Sequence, residues 1–200
     1  MRGASTRTFR SSRSVQALAM WTRTVVAATW IAVAVAGMAQ AGCQGGVRVL
    51  SSSMEPTLHC AKPGAGCESK TPDLLKQVAD VKLQRGDIIA FKAPHRAIAG
   101  CATKVPIWVK RIVGLPGERW SISRGFVYIN GHRLREPYLS PKRRDGFSLP
   151  GGRIPKARYF VLGDNRLVSC DSRVWGYVPA KDVIAHVIAV ERGGRTIKVR

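Results

Sequence analysis

The sequence predicts a mainly β protein, with one antiparallel β domain over residues 46–200 preceded by one N-terminal transmembrane helix. Three observations carry this reading. From residue 47 onward, short runs rich in Val, Ile, Phe and Tyr alternate with Gly and Pro. Before them, an apolar run without a single charge, 25–42, follows a basic head. No internal repeat and no long low-complexity linker interrupts the rest.

The head, 1–23, carries Arg2, Arg7, Arg10, Arg13 and Arg23, and no Asp or Glu occurs before Glu55. At 1.5 Å per residue the run 25–42 reaches about 27 Å as a helix, enough for the hydrocarbon core of a bilayer. We place a signal anchor at 24–43. Two other readings stay open: a removed signal peptide, for which Ala39-Gln40-Ala41 fits the A-x-A cleavage pattern, and lipidation at Cys43. Gln40 counts against lipidation, because it stands where a lipoprotein signal wants an apolar residue. On the first two readings the head is cytoplasmic and the residues after Gly42 are extracytoplasmic, as in a single-pass cell-membrane protein.

The chain has 200 residues, about one domain, and 45% are hydrophobic, which excludes a disordered chain. Lys and Arg number 33 against 12 Asp and Glu, a net charge of +21. Such a surface meets polyanions, either nucleic acid or anionic lipid. A basic head placed before an apolar run selects the bilayer, so anionic lipids are the expected partner and nucleic acid is not.

Five cysteines, Cys43, Cys60, Cys67, Cys101 and Cys170, suit an oxidising compartment and leave one unpaired. Cys60 and Cys67 bracket the turn-forming stretch AKPGAG. A bridge there closes a loop worth roughly 2.5 kcal/mol in the chain-entropy model. Cys101 and Cys170 would be the second pair by elimination. The rival reading, metal binding, lacks CxxC spacing and a nearby His pair, so no metal or other cofactor is expected.

The expected strands are 47–50, 87–93, 107–115, 126–134, 158–164 and 182–192. Asn130-Gly131 marks a hairpin between FVYI and HRLR. One stretch, 71–81, reads as a helix.

Three segments carry chemistry. In VRVLSSSMEPTLH, 47–59, a strand runs into three serines ahead of Pro56, a turn well suited to exposing a hydroxyl. In IWVKRIVGLPGE, 107–118, strand alternation puts Lys110 on one face with Trp108 and Ile112, and Arg111 on the other with Val109 and Val113. A lysine with such neighbours is ordinarily an edge residue that reaches for water. A desolvated amine is the alternative, and it matters: burial lowers a Lys pKa from about 10.4 by up to about 3–5 units, and the neutral amine can then deprotonate a serine. In VLGDNRLVSCDSRVWGYV, 161–178, Asp164, Arg166, Asp171 and Arg173 interleave between apolar strands, as a charged loop or as a scaffold around a site. None of the four histidines stands among other chemical signals except His59, beside a Cys in a turn, which argues against a Ser-His-Asp triad.

Together these segments resemble the bacterial type I signal peptidases, membrane-bound Ser/Lys proteases. SSSMEPTL (51–58) is similar to that family's S-x-S-M-x-P-T-L box, and RGDII (85–89) to its R-G-D-I/V-V box. KRIVGLPGE (110–118) is similar to its K-R-I/V-x-G-L-P-G-D/E box, and the stretch 163–176 to its G-D-N-R-x-x-S-x-D-S-R-x-W-G box. The resemblance covers about 46–190 plus the anchor. It implies a signal-peptidase-like antiparallel β domain that cuts signal peptides from exported preproteins after Ala-x-Ala, without a cofactor and as a monomer. It makes Ser53 the nucleophile and Lys110 the general base. Ser51 and the Ser53 N–H would form the oxyanion hole, and Ser169 would hydrogen-bond Lys110. Asp171 with Arg173, and Asp164 with Arg111, would brace the scaffold. Val49, Leu50, Met54, Leu58, Trp108 and Val109 would line shallow apolar subsites. Three features depart from the pattern: Leu50 stands where many relatives carry Pro, Cys170 sits inside the fourth box, and the short stretch between the third and fourth boxes implies a small accessory lobe.

Two rivals remain. One is a related Ser/Lys processing protease of the pilin-maturation type, which shares the anchor and dyad; self-cleaving repressors share the catalytic fold but usually carry a DNA-binding domain and lack an anchor. The other is a non-catalytic, membrane-anchored binding protein.

Overall fold

The computed structural model describes residues 47–78, 82–95, 101 and 105–199. The expected cytoplasmic head, 1–23, the expected anchor, 24–43, and Cys43 lie outside the described residues. Among the described residues, no helix is long and apolar enough to cross a membrane.

The described chain is mainly antiparallel β, as expected, with one short α-helical turn at Ser172–Trp175. Strands β1 (Val47–Arg48), β2 (Leu74–Val78), β3 (Ile88–Lys92), β4 (Ile107–Gly114), β9 (Arg158–Leu162), β10 (Val178–Pro179), β11 (Val183–Arg192) and β12 (Arg195–Lys198) form the larger sheet. Its order is β1-β2-β11-β3-β4-β9-β10, with β12 also paired to β11. Strands β5 (Arg119–Ser123), β6 (Phe126–Ile129), β7 (His132–Arg133) and β8 (Leu149–Arg153) form a four-stranded sheet in the order β7-β6-β5-β8. This second sheet is the small lobe expected between the third and fourth boxes. Its β6–β7 hairpin turns at Asn130-Gly131, both left-handed (φ 52° and 84°), as the Asn-Gly pair requires.

The predicted helix over 71–81 is instead strand β2. Leu, Lys and Gln are better helix than strand formers. Pairing overrides that preference, because β2 is hydrogen-bonded to β1 on one edge and β11 on the other. β5 and β8 were not expected either. β8 contains Pro150, Gly151 and Gly152, a composition tolerated because it is an edge strand. Gly151 (φ 79°) lets the chain pass Trp120, since a Cβ there would fall 1.7 Å from the Trp120 carbonyl oxygen.

Three apolar clusters hold the sheets. Met54, Leu58, Leu75, Ile88, Val187 and Val190 form the first, together with the Cys60–Cys67 disulfide. Ile89, Phe91, Trp108, Ile112, Val161 and Trp175 form the second. Val113, Ile122, Val127, Ile154, Phe160 and Leu162 form the third. Ile88 and Ile89 sit in different clusters, as alternation along a strand requires. The second bridge, Cys101–Cys170, is also formed and ties the segment before β4 to the loop after β9.

Candidate active site

The site forms where β4 loses a neighbour. β4 pairs with β3 from Ile107 to Arg111, whereas its pairing with β9 begins only at Arg111. Residues 107–109 therefore have β3 on one edge and a cleft on the other. The cleft, about 420 Å³, is bounded by β4, by residues 47–54, and by the Cys101–Cys170 disulfide with Val168.

At its floor β1 runs into a tight 3-10 turn, Ser52–Met54, closed by the Glu55 N–H donating to the Ser52 carbonyl at 3.2 Å. The turn buries Ser53, and its Oγ lies 2.8 Å from Lys110 Nζ. Lys110 is 5% exposed, and its amine also donates to the Val109 carbonyl at 3.0 Å. Burial strips the amine of water and lowers its pKa from 10.5 to about 8, against the opposing pull of Asp171 and Asp164. The Trp108 ring centroid lies 5.6 Å from Nζ on the same strand face. Ser51 Oγ lies 3.1 Å from Ser53 Oγ. His59 takes no part, because its Nδ1 is paired with Glu55 at 2.6 Å.

Behind the pair stands a charged frame. Arg111 makes a bidentate pair with Asp164, at 2.9 and 2.6 Å, with both side chains fully buried. Thr57 donates to the same carboxylate at 2.6 Å, and the Tyr138 ring covers the guanidinium at 4.0 Å. Arg173 grips Asp171 through two bonds, at 2.7 and 2.9 Å. Asp171 in turn accepts from the Gly163 N–H at 3.1 Å. Arg111 and Lys110 thus serve different partners, as expected from opposite faces of one strand.

Two expected placements are corrected. Leu58 does not line the cleft. The turn after Ser53 tucks it into the first cluster, where it is fully buried. Ser169 does not hydrogen-bond Lys110. The amine is turned toward Ser53 and Val109, while Ser169 Oγ is buried against Gly163 and makes no hydrogen bond among the described residues. Val49, Leu50, Met54, Trp108 and Val109 do line the cleft, with Leu50 standing at its rim, 68% exposed.

Other residues at the site were not singled out from sequence. Thr57 and Asn165 lie inside the quoted boxes, where nothing but contact geometry distinguishes them. Val168 and Ile107 line the cleft as ordinary apolar residues. Gly163 is required by close approach, because a Cβ there would fall 2.4 Å from the Ser53 carbonyl oxygen and 2.2 Å from Ser169 Oγ. Possible metal donors do come together away from the cleft: Glu55, His59 and Glu68 place three ligand atoms within 4.8 Å. Glu55 is already engaged there, with His59 and with the N–H groups of Cys60 and Glu68, while Cys60 and Cys67 are bonded to each other.

A serine hydroxyl against a desolvated amine, on the floor of an apolar cleft in an antiparallel β scaffold, defines a class of protein equipped for acyl transfer through a serine nucleophile. Comparison with known proteins narrows that class. The family model described as signal peptidase, peptidase S26, matches residues 21–190, and the chain belongs to this family. It is 39% identical over 133 residues to signal peptidase I T of Bacillus subtilis, covering 62% of this chain and 61% of that protein. It is 31% identical over 173 residues to a signal peptidase I of Bacillus licheniformis, covering 82% of each. To the probable signal peptidase I-1 of Synechocystis it is 38% identical over 106 residues, or 52% of this chain. The chain thus spans 53% of the Synechocystis relative and 61% of the Bacillus subtilis one. A solved structure of a signal peptidase I from Enterococcus faecalis is 34% identical and covers 55% of this chain and 99% of that one, with a TM-score of 0.44.

Proposed function

We propose that this chain is a membrane-anchored serine endopeptidase that removes signal peptides from exported preproteins by cutting after Ala-x-Ala. The observation that carries the reading is the buried Lys110 amine 2.8 Å from Ser53 Oγ. The neutral amine takes the Ser53 proton as Oγ attacks the scissile carbonyl carbon. The carbonyl oxygen, now an oxyanion, is met by the Ser53 N–H and the Ser51 hydroxyl. The C–N bond breaks, and the proton on Lys110 passes to the leaving amine. Water then attacks the acyl-enzyme, giving one proton to Lys110, which returns it to Ser53 Oγ.

The substrate enters as an extended strand between residues 49–51 and 107–109, using the edge of β4 that β9 leaves open. Small apolar side chains fit a cleft walled by Val49, Leu50, Met54, Trp108 and Val109; large ones clash and polar ones lose their hydration. Asp164 with Arg111, and Asp171 with Arg173, hold the frame rigid, and Ser169 supports it by packing against Gly163. The chain is read as a monomer anchored by 24–43, with its catalytic domain extracytoplasmic against anionic lipid.

The test is cleavage of an Ala-x-Ala peptide by the full chain across pH. Lys110 must be neutral to act, so kcat/KM is expected to fall about tenfold per pH unit below pH 8 and to level off above it. A rate that is flat through pH 8, or undiminished cleavage by Ser53→Ala, rejects the dyad. Gly163→Ala is expected to lower kcat about 100-fold, because a displacement of about 1 Å at a nucleophile costs that much. Full activity in that variant would mean that the Ser53 turn tolerates movement.

A further inference from the structure

We propose that Asn165 is a positioning residue that aims the oxyanion donor. The proposal rests on the Ser53 nucleophile of the preceding section. Asn165 is fully buried and holds the nucleophile turn at two successive carbonyls. Its side-chain Nδ2 donates to the Ser52 carbonyl at 3.0 Å, and its backbone N–H donates to the Ser53 carbonyl at 3.0 Å.

The first of these bonds is the informative one. The Ser52 carbonyl and the Ser53 N–H belong to one peptide unit. That unit is planar and trans, so its oxygen and its hydrogen point in opposite directions. A donor that holds the oxygen from one side therefore sets the direction of the hydrogen on the other. Ser53 N–H is the group expected to meet the developing oxyanion, and an oxyanion donor works only when aimed in advance. The Glu55 N–H shares the same carbonyl at 3.2 Å, but it belongs to the turn itself and moves with it. Asn165 comes from a different segment, the loop after β9, 113 residues further along the chain. Its carbonyl receives the Ser169 N–H at 3.0 Å, and it is flanked by Asp164, which is locked to Arg111. A fixed frame thereby sets the angle of the turn. The Nδ2 donor also draws electron density toward the Ser52 oxygen and strengthens the N–H as a donor.

Position 165 therefore needs an amide and not a carboxylate. Asn165→Asp keeps the size and backbone bond but puts an acceptor oxygen against the Ser52 carbonyl. In the full chain, with an Ala-x-Ala peptide, kcat is expected to fall about 100-fold, the scale of losing one oxyanion donor. KM is expected to stay within about twofold, because substrate binding does not use this peptide unit. The acid limb of the pH profile is read in Asn165→Ser, where it is expected to stay where the parent has it; the carboxylate of Asn165→Asp raises the Lys110 pKa as Asp164 and Asp171 already do. A peptide aldehyde provides a direct readout: Ser53 Oγ adds to its carbonyl carbon, the proton passes to Lys110, and the resulting hemiacetal oxyanion occupies the same position. Its inhibition constant is expected to rise by the factor that kcat falls. Asn165→Ser is measured in parallel, and both variants are assayed below their measured melting transitions, so that loss of fold is not read as loss of aim. Unchanged kcat, a loss confined to KM, a shifted acid limb in Asn165→Ser, or unchanged aldehyde affinity would each overturn the proposal. Failure of the dyad itself reads differently, because it shows in the parent pH profile and in Ser53→Ala, neither of which touches Asn165.

Discussion

Lys110→Met is expected to abolish peptide cleavage while making the protein more stable at pH 7. The two effects have one cause. The folded chain lowers the Lys110 pKa from 10.5 to about 8 by burying it, so below pH 8 folding carries a charged amine into a dry site. At about 1.4 kcal/mol per pKa unit, that costs roughly 3 kcal/mol. Methionine has a similar length and no charge to desolvate. It forfeits the amine's bonds to Ser53 Oγ and the Val109 carbonyl, each worth about 1 kcal/mol. A net gain of about 1–2 kcal/mol remains.

The gain also depends on pH in a defined direction. Between pH 8 and 10.5 the unfolded chain keeps the Lys110 proton while the folded chain has released it. The parent is therefore stabilised by rising pH across that window, whereas the Met variant has no such group. Urea unfolding at several pH values is expected to show the variant ahead by a constant margin below pH 8. The margin should shrink steadily above pH 8, vanish at about pH 9 and reverse by about pH 10.5, where only the two forfeited hydrogen bonds still count. A variant less stable than the parent at pH 7, or a margin independent of pH, would mean that the amine is not desolvated in the folded state.

The second large effect is on stability. Asp164→Ala is expected to cost about 3–5 kcal/mol, because it leaves the Arg111 guanidinium buried without its counter-ion. Both partners have no exposed side-chain surface, so water cannot take the place of the carboxylate without opening the structure. The Gly86 carbonyl, at 2.6 Å, and the Tyr138 ring would remain as partners for the guanidinium. Neither carries a negative charge. Thr57 would also lose its acceptor. The loss is a large part of the 5–15 kcal/mol by which domains are ordinarily stable. Removing both charges together, as Arg111→Met with Asp164→Leu, is expected to recover most of it, since two apolar groups of similar volume have nothing to desolvate. Denaturant midpoints of the three variants decide this. A cost below about 1 kcal/mol for Asp164→Ala would show that the pair is hydrated and contributes little.

Much of the fold was legible along the chain because β-branched and aromatic runs declare themselves locally. β3, β4, β9 and β11 match their expected runs to within a few residues at each end. β2 did not declare itself, because LLKQV has helix-forming residues and takes its strand form from neighbours on both edges. β8 was hidden by Pro150 and two glycines, which only an edge position excuses. At the site, the residue types were readable and their contacts were not. Lys110 beside Trp108 and Ile112 suggested a desolvated amine, but an edge lysine reaching for water has the same sequence. Leu58 shows the converse: its place in a box suggested a cleft wall, and one tight turn sends it inward.

By itself, the sequence determined which chemical groups this protein possesses, where its strands fall, and which side of β4 each charge faces. Those properties depend on neighbours along the chain, through alternation, turn residues and the position of charge. Only the tertiary structure decided that Ser53 and Lys110, 57 residues apart, lie within a hydrogen bond of each other. It also decided that Ser169 packs instead of bonding to the amine, and that Asn165 grips the two peptide units that flank the Ser53 Cα, at the Ser52 and Ser53 carbonyls. The physical reason is that desolvation and hydrogen-bond direction are set by groups brought together across the sheet, and separation along the chain places no limit on which groups those are.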